Sequence, residues 1–459
     1  MLNSWNEILR GSSIDVLTGK RVRSLTLIAA AGLVVFIPQM GQAAESAQTV
    51  RVAAAGTVNV QRAPRPAPKP TNPPSSPAPE PTPTAAPTTC TGVQISPGMS
   101  ADSIQRLVDS NPNGTVFCFS RGTYVLNHYI TLKDANQFIC PERRSCVLTG
   151  LDQYRGALTA AFGTSKHVIR GFVVEHFIAA PGQWPNAGLQ LRDGGLIEDN
   201  ESRYNKIGIN INSNQTIRNN FIHHNLQYGL NGGPATNLLI EGNELAWNNS
   251  AHLDPNNDAG GSKIIGGSPG TNILTWRRNH VHDNWGNGIW SDGNVRNTTY
   301  EENVIENNGG AGILHEISWN AVIRNNTLRN NNTFELGKGK SCWWGAQIAL
   351  NNSQGVAIYS NTVEAVGTNA ICLANTSRSE PVGFPQSLAS ISVTNNVIKM
   401  RGEVNIGMVG DRVAPNVTFS GNTYYVDSTA GDNWSYMSSM RFPAWQAAGH
   451  DVDGRLLTW

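Results

Sequence analysis

Arg278-Asn279-His280-Val281-His282-Asp283-Asn284, followed by Gly288-Ile289-Trp290-Ser291-Asp292, has a near-copy just downstream. The copy reads Glu302-Asn303-Val304-Ile305-Glu306-Asn307-Asn308, then Gly312-Ile313-Leu314-His315-Glu316. Aligned glycine to glycine, Asp292 and Glu316 fall at the same phase, 24 residues apart. If each copy is one coil of a stack of strands, the two carboxylates stand on adjacent coils.

The same pattern spreads outward in both directions. A β-branched or apolar residue, two variable residues, Asn and a short apolar pair recur at Asn200, Asn220, Asn243, Asn279, Asn303, Asn326, Asn361, Asn396 and Asn422. The intervals are 20, 23, 36, 24, 23, 35, 35 and 26 residues. An earlier rung, Ile169-Arg170-Gly171-Phe172, has Phe at the marker position. A base period in this range is the signature of a solenoid, and it fits one coil of a parallel β-helix. Asn suits the sharp turns because it tolerates left-handed backbone, and its amide can hydrogen-bond up and down the stack. The Leu grid of leucine-rich repeats is absent, propellers need longer units, and no long helical pattern separates the rungs. The expected fold class is therefore all-β.

Two of the long intervals carry inserted residues. Asn243 to Asn279 has an excess near Trp247–Gly260, and Asn326 to Asn361 has one near Asn330–Trp344. They lie on the coils before and after those of Asp292 and Glu316. Long excursions from a rigid scaffold are usually functional, so these loops are expected to wall a cleft floored by the two short coils.

The flanks read differently. Lys20, Arg21 and Arg23 precede an apolar run, Leu25–Ile37, with small residues to Ala44. That run is shorter than the roughly 20 residues of a membrane span, and it reads as a secretory signal. Pro then recurs every second or third residue from about Ala63 to Pro87, as in an extended spacer. Ser100–Asp109 has a helical pattern with Ser100 as N-cap, and Phe442–Ala448 is a second short helix. The expected organisation is a signal peptide over 1–44, a Pro-rich linker over 45–89, an N-terminal helix/strand cap and first coils over 90–165, repeats over 166–430 and a small C-terminal cap over 431–459. The expected location is outside the cytoplasm: secreted, periplasmic or cell-surface, without lasting membrane insertion. The 459-residue chain has a formal net charge of +1, so no strong field favours nucleic acid. Its six cysteines, in an exported chain, suggest disulfides; proximity along the repeat favours Cys90–Cys118, Cys140–Cys146 and Cys342–Cys372. No CxxC or Cys/His spacing points to zinc.

Strand alternation turns the repeat into a site. With Ile289 facing into the coil, Trp290 and Asp292 face out. Leu314 and Glu316 do the same on the next coil, and His315 faces in. The same glycine alignment puts Lys263, Asn231 and Gln347 on this outer face. Adjacent strands stack about 4.8 Å apart, which predicts carboxylates about 5 Å apart. Retaining glycosidases hold their pair at about 5–5.5 Å and inverting ones at about 6.5–9.5 Å. Two such charges should raise one pKa, and Lys263 could keep the partner ionised. Asp258 and Trp343, from the two long loops, are candidate substrate contacts. The His252–Asp258 loop is rich in oxygen donors and is a candidate Ca2+ ligand set, though it lacks regular calcium-loop spacing and reads equally as Asx turns. His280, His282 and His315 are expected to support the stack, and no GxSxG elbow points to a serine nucleophile. Solvated surface acids remain the plain alternative for Asp292 and Glu316.

These repeats resemble those of the pectate-lyase-like superfamily of right-handed, single-stranded parallel β-helices. The motifs Gly288–Asp292 and Gly312–Ser318 are similar to those of a secreted group that includes the β-xylosidases of glycoside hydrolase family 120. That resemblance implies a carbohydrate substrate, Asp292 as nucleophile and Glu316 as general acid/base. Two rival readings use the same scaffold. In a polysaccharide lyase or uronan C5-epimerase, Lys263 would be the base, although no Arg cluster awaits polyuronate carboxylates. In a non-catalytic surface protein, the β-helix would simply be displayed.

Overall fold

The computed structural model describes residues 89–459 except 162, 179–186, 269, 337–344, 403 and 428–430. The expected signal peptide and linker up to residue 88 lie outside the described residues. The described chain is a right-handed parallel β-helix. Each coil contributes one strand to each of three 13-stranded sheets. A representative coil runs Thr271–Arg277 in the first sheet, His280–His282 in the second and Ile289–Asp292 in the third. The next coil repeats this as Val295–Glu301, Val304–Glu306 and Ile313–Glu316. Pairing is parallel throughout, apart from Trp434–Tyr436 against Ser439–Met440.

Alternation explains the core. In each sheet, alternate residues such as Ile240, Trp276, Tyr300 and Ile323 face inward and are fully buried in one continuous apolar column. The column is capped at its start by a helix, Ala101–Ser110, whose Ile104 and Val108 are buried. Ser100 caps that helix, its hydroxyl accepting from the Ser103 amide at 3.2 Å. At the far end the helix Phe442–Ala447 buries Phe442 and Trp445, covering what would otherwise be an open apolar end.

The marker asparagines form a buried ladder. Asn303 Nδ2 donates to Asn326 Oδ1 at 2.9 Å and to the Trp276 carbonyl at 3.1 Å, while its backbone amide also donates to Asn326 Oδ1 at 3.0 Å. The same bonds link Asn200 through Asn422. The ladder starts where the Phe172 amide donates to Asn200 Oδ1 and ends on Asp451, whose Oδ1 accepts from Asn422 at 2.9 Å. A second ladder runs five residues further on, from Asn205 through Asn225, Asn248, Asn284 and Asn308 to Asn331. Every side-chain amide of the two ladders thus has a partner, as a low-dielectric interior demands.

The disulfides Cys90–Cys118 and Cys140–Cys146 form as expected. Cys372 is also disulfide-bonded; its expected partner, Cys342, lies outside the described residues. No helix among the described residues is long and apolar enough to cross a membrane.

Candidate active site

The second asparagine ladder fixes the third sheet. Its amides pack against a file of glycines: Gly208, Gly229, Gly261, Gly288 and Gly312. A Cβ on Gly288 would meet the Gly312 carbonyl at 2.8 Å and Asn308 Nδ2 at 3.0 Å. Only glycine leaves room there, so the motif glycines mark a true structural register. Asp292 and Glu316 are Cα partners in that register, as are Trp290 and Leu314. Ile264 pairs with Ser291, which sets Lys263 beside Trp290. Asn231 pairs with Lys263 on the preceding coil.

Each carboxylate has its own cation. Lys263 Nζ lies 3.0 Å from Asp292 Oδ2, donates to the Asn257 carbonyl at 2.9 Å and sits 3.6 Å from the centre of the Trp290 ring. Glu316 is buried; its Oε2 accepts from Trp290 Nε1 at 3.2 Å and its Oε1 from Arg378 Nη1 at 2.6 Å. Burial first, and the Asp292 charge second, push the Glu316 carboxyl up to about 7, against the pull of Arg378 and Lys263. Arg378 shares itself with Glu380, its Nε standing 2.7 Å from Glu380 Oε1.

Arg378 was not among the residues read from the repeat. It sits in the excursion between the strands Ile371–Asn375 and Ala389–Thr394. The signal was the third long interval, Asn361 to Asn396, whose inserted residues reach back to the Glu316 coil. Tyr228 was missed as well. It is buried, and its hydroxyl donates to the Asn257 carbonyl at 3.4 Å. Burial, then the charges of Asp258, Asp292 and Asp254, hold it above the usual phenol range. Asp258 itself is exposed, and its carboxylate shares the Tyr228 hydroxyl's surroundings with Asp292. In the same loop Asp254 accepts from the Asn256 amide at 3.0 Å and from Asn257 Nδ2 at 2.9 Å, the bonds of an Asx turn.

Asn231 is buried, donates to the Lys263 carbonyl at 3.1 Å and leaves Oδ1 unpartnered. Asn351, the register partner of Glu316, likewise leaves a buried Oδ1 unpartnered. Gln347 is a correction: it does not face out. The Ile313 amide donates to its carbonyl, and Ile348 is the partner of Ile313, so Gln347 takes the position of Gly312. Its side chain continues the second ladder, Oε1 accepting from Asn331 Nδ2 at 2.8 Å. The glycine read as its guide, Gly345, stands two residues out of register. Ala349 holds the outward position instead. Trp343 lies outside the described residues.

Ser291 and His315 face inward, behind the two acids. The Tyr300 hydroxyl donates to Ser291 Oγ at 2.6 Å and lies 3.0 Å from His315 Nδ1. Burial pushes the His315 imidazole down to about 3. These groups are sealed in the core and face away from the outer surface on which the acids lie.

Comparison with known proteins agrees on the architecture. Residues 263–442 match the family model described as right handed beta helix region. A search of curated protein sequences finds no match. Among solved structures, the A-module of the Azotobacter vinelandii mannuronan C-5 epimerase AlgE6 superposes with a TM-score of 0.58 at 16% identity, covering 78% of this chain and 95% of its own. The catalytic domain of a GH87 α-1,3-glucanase, solved with tetrasaccharides, gives 0.56 at 12%, covering 82% and 69%. Gene product 12 of bacteriophage phi29 gives 0.50 at 11%, covering 72% and 51%. At these identities the chain is similar to all three in fold, a right-handed parallel β-helix.

Proposed function

We propose that the chain is an extracytoplasmic retaining glycoside hydrolase, with Asp292 as nucleophile and Glu316 as general acid/base. The observation that carries this reading is the pairing of the two acids on adjacent coils in unlike surroundings. Asp292 is met by the ammonium of Lys263, the counter-charge an attacking carboxylate needs. Glu316 is buried with its carboxyl raised to about 7, the condition for a proton donor near neutrality. An Asp292 oxygen attacks the anomeric carbon as Glu316 protonates the departing glycosidic oxygen, leaving a glycosyl ester. Glu316, now ionised, takes a proton from the water that hydrolyses the ester. Two structural neighbours are named as enzymes of polysaccharides, and two disulfides favour an oxidising compartment.

Each Glu316 oxygen accepts one hydrogen bond, and release of one partner would open that oxygen further to the glycosidic oxygen. Arg378 has Glu380 as a second acceptor and is the partner able to swing away. A lyase or epimerase using Lys263 as base is less well supported. All three Lys263 contacts are those of an ammonium, and a base there would have to forfeit the pair with Asp292.

The test is a screen of the chain against aryl glycosides and plant and microbial glycans, with the first product's anomeric configuration read by NMR. Retention supports the stacked pair. Inversion, or unsaturated UV-absorbing sugar ends, overturns it.

A further inference from the structure

A second group of chemistry-bearing residues lies on the outer face of the second sheet, away from the two acids. Glu244 and His280 are Cα partners on adjacent coils, and His282 follows two residues after His280 on the same side of its strand. One ligand atom from each of Glu244, His280 and His282 lies within 4.8 Å of the other two. We propose that these three side chains form a binding site for a divalent transition-metal ion of the zinc class.

Three features point there. First, the pattern is His-x-His on one strand with a carboxylate from the neighbouring strand, three protein ligands with room for water as a fourth. His280 is 40% exposed at its side chain, which leaves that water a way in. Second, the second nitrogen of each ring is already held by another acid. His282 Nδ1 lies 2.8 Å from Asp283 Oδ2, and His280 Nε2 lies 2.8 Å from Glu306 Oε1. Metal-bound imidazoles are oriented in this way, one nitrogen on the ion and the other on a carboxylate. Third, His282 Nε2 and Glu244 Oε1 are 3.3 Å apart. That is long for a charge-assisted hydrogen bond, but tetrahedral bonds of about 2.0–2.1 Å put ligand atoms about 3.3 Å apart. Two imidazoles and one carboxylate suit zinc-class ions better than Ca2+.

The ion would staple two coils. Glu244 stands just before the excursion whose Asn257 carbonyl holds Lys263, and His280 begins the middle strand of the coil that carries Asp292. Cys/His spacing could not reveal the site, because Glu244 precedes His280 by 36 residues and meets it only when the coils stack.

The untagged full chain, stripped with EDTA and freed of chelator, is titrated with Zn2+ by calorimetry and with Co2+ by visible absorption. The expected result is one equivalent bound, with tetrahedral Co2+ bands and a raised Tm. His282→Gln and Glu244→Gln, checked for native circular dichroism, each weaken Zn2+ binding at least about tenfold, and His223→Gln does not. His280→Gln carries the test if His282→Gln fails to fold. No binding by the wild-type chain, or unchanged binding by the folded variants, overturns the site and leaves the cluster a proton-sharing ion-pair ladder.

Discussion

Asp292 and Glu316 are register partners on adjacent coils, yet Asp292 pairs with Lys263 at 3.0 Å while Glu316 answers to Arg378 at 2.6 Å. Two acids in the same place of two successive repeats are thereby made unlike. The first expectation follows from their separate tasks. Glu316→Gln should cost about 10²–10⁴ in rate on glycosides with poor leaving groups. In kcat/KM it should cost much less on dinitrophenyl glycosides, whose leaving group needs no proton, while their kcat still falls because Glu316 also activates the water that hydrolyses the ester. Asp292→Asn should fail on both. Equal losses in kcat/KM for Glu316→Gln on both substrates would remove it from the acid role.

The Lys263–Asp292 pair, with Lys263 buried and Asp292 half-buried, should behave much as a buried pair does. Lys263→Met strands the Asp292 charge and is expected to destabilise the fold by about 3 kcal/mol. The double variant Lys263→Met/Asp292→Asn removes both charges and should recover much of that loss. Denaturant unfolding of the two variants checks it, and a double variant no more stable than Lys263→Met would show that the pair is not energetically coupled.

The coil period was legible because asparagine ladders repeat in sequence as they do in space: Asn279, Asn303 and Asn326 read as one file and bond as one. The glycine alignment of Gly261, Gly288 and Gly312 was legible for the same reason, each lying against an amide of the second ladder. It failed at Gln347, where a side chain replaces the next ladder asparagine and the visible glycine, Gly345, is out of step by two. Arg378 was hidden because its excursion obeys no period. Only the length of the Asn361–Asn396 interval records it, and length does not say where a loop folds back. The Glu244–His280–His282 group was hidden by the coil that separates its members along the chain.

The ladder predicts its own cost. Asn303→Ala deprives Asn279 of the acceptor for its amide and Nδ2, and it leaves the Trp276 carbonyl without the donor at 3.1 Å. Several buried groups left unpaired at about 1–3 kcal/mol each should lower stability by roughly 3 kcal/mol or more, read by chemical denaturation. A change under about 0.5 kcal/mol would mean that the ladder adds little beyond the strands.

The glycine file makes a geometric prediction. A Cβ on Gly312 would meet the Gln347 carbonyl at 2.6 Å and Asn331 Nδ2 at 2.9 Å. Gly312→Ala should cost about 1–3 kcal/mol by overpacking and displace the strand that presents Glu316. The rate per folded molecule should therefore fall along with the Tm. A lower Tm with an unchanged rate would show that the strand absorbs the strain without moving the acid.

The pH profile follows from the sign of the Glu316 shift. Its carboxyl is raised from 4.5 to about 7, so the protonated, proton-donating form persists to neutrality. Above that, the donor is lost and the rate should fall about tenfold per pH unit. The same shift makes the folded state favour the protonated acid. Its contribution to stability is whole below pH 4.5 and is lost as pH rises through about 7, so the wild-type Tm should drop across that window more than that of Glu316→Gln. Arg378 acts in the opposite sense, lowering the Glu316 pKa. Arg378→Met should move the alkaline limb upward by about one pH unit, the equivalent of one modest charged hydrogen bond. It should also weaken the second half-reaction, in which an ionised Glu316 must take a proton from water. A limb that stays in place in Arg378→Met, or that survives in Glu316→Gln, would assign the titration to another group.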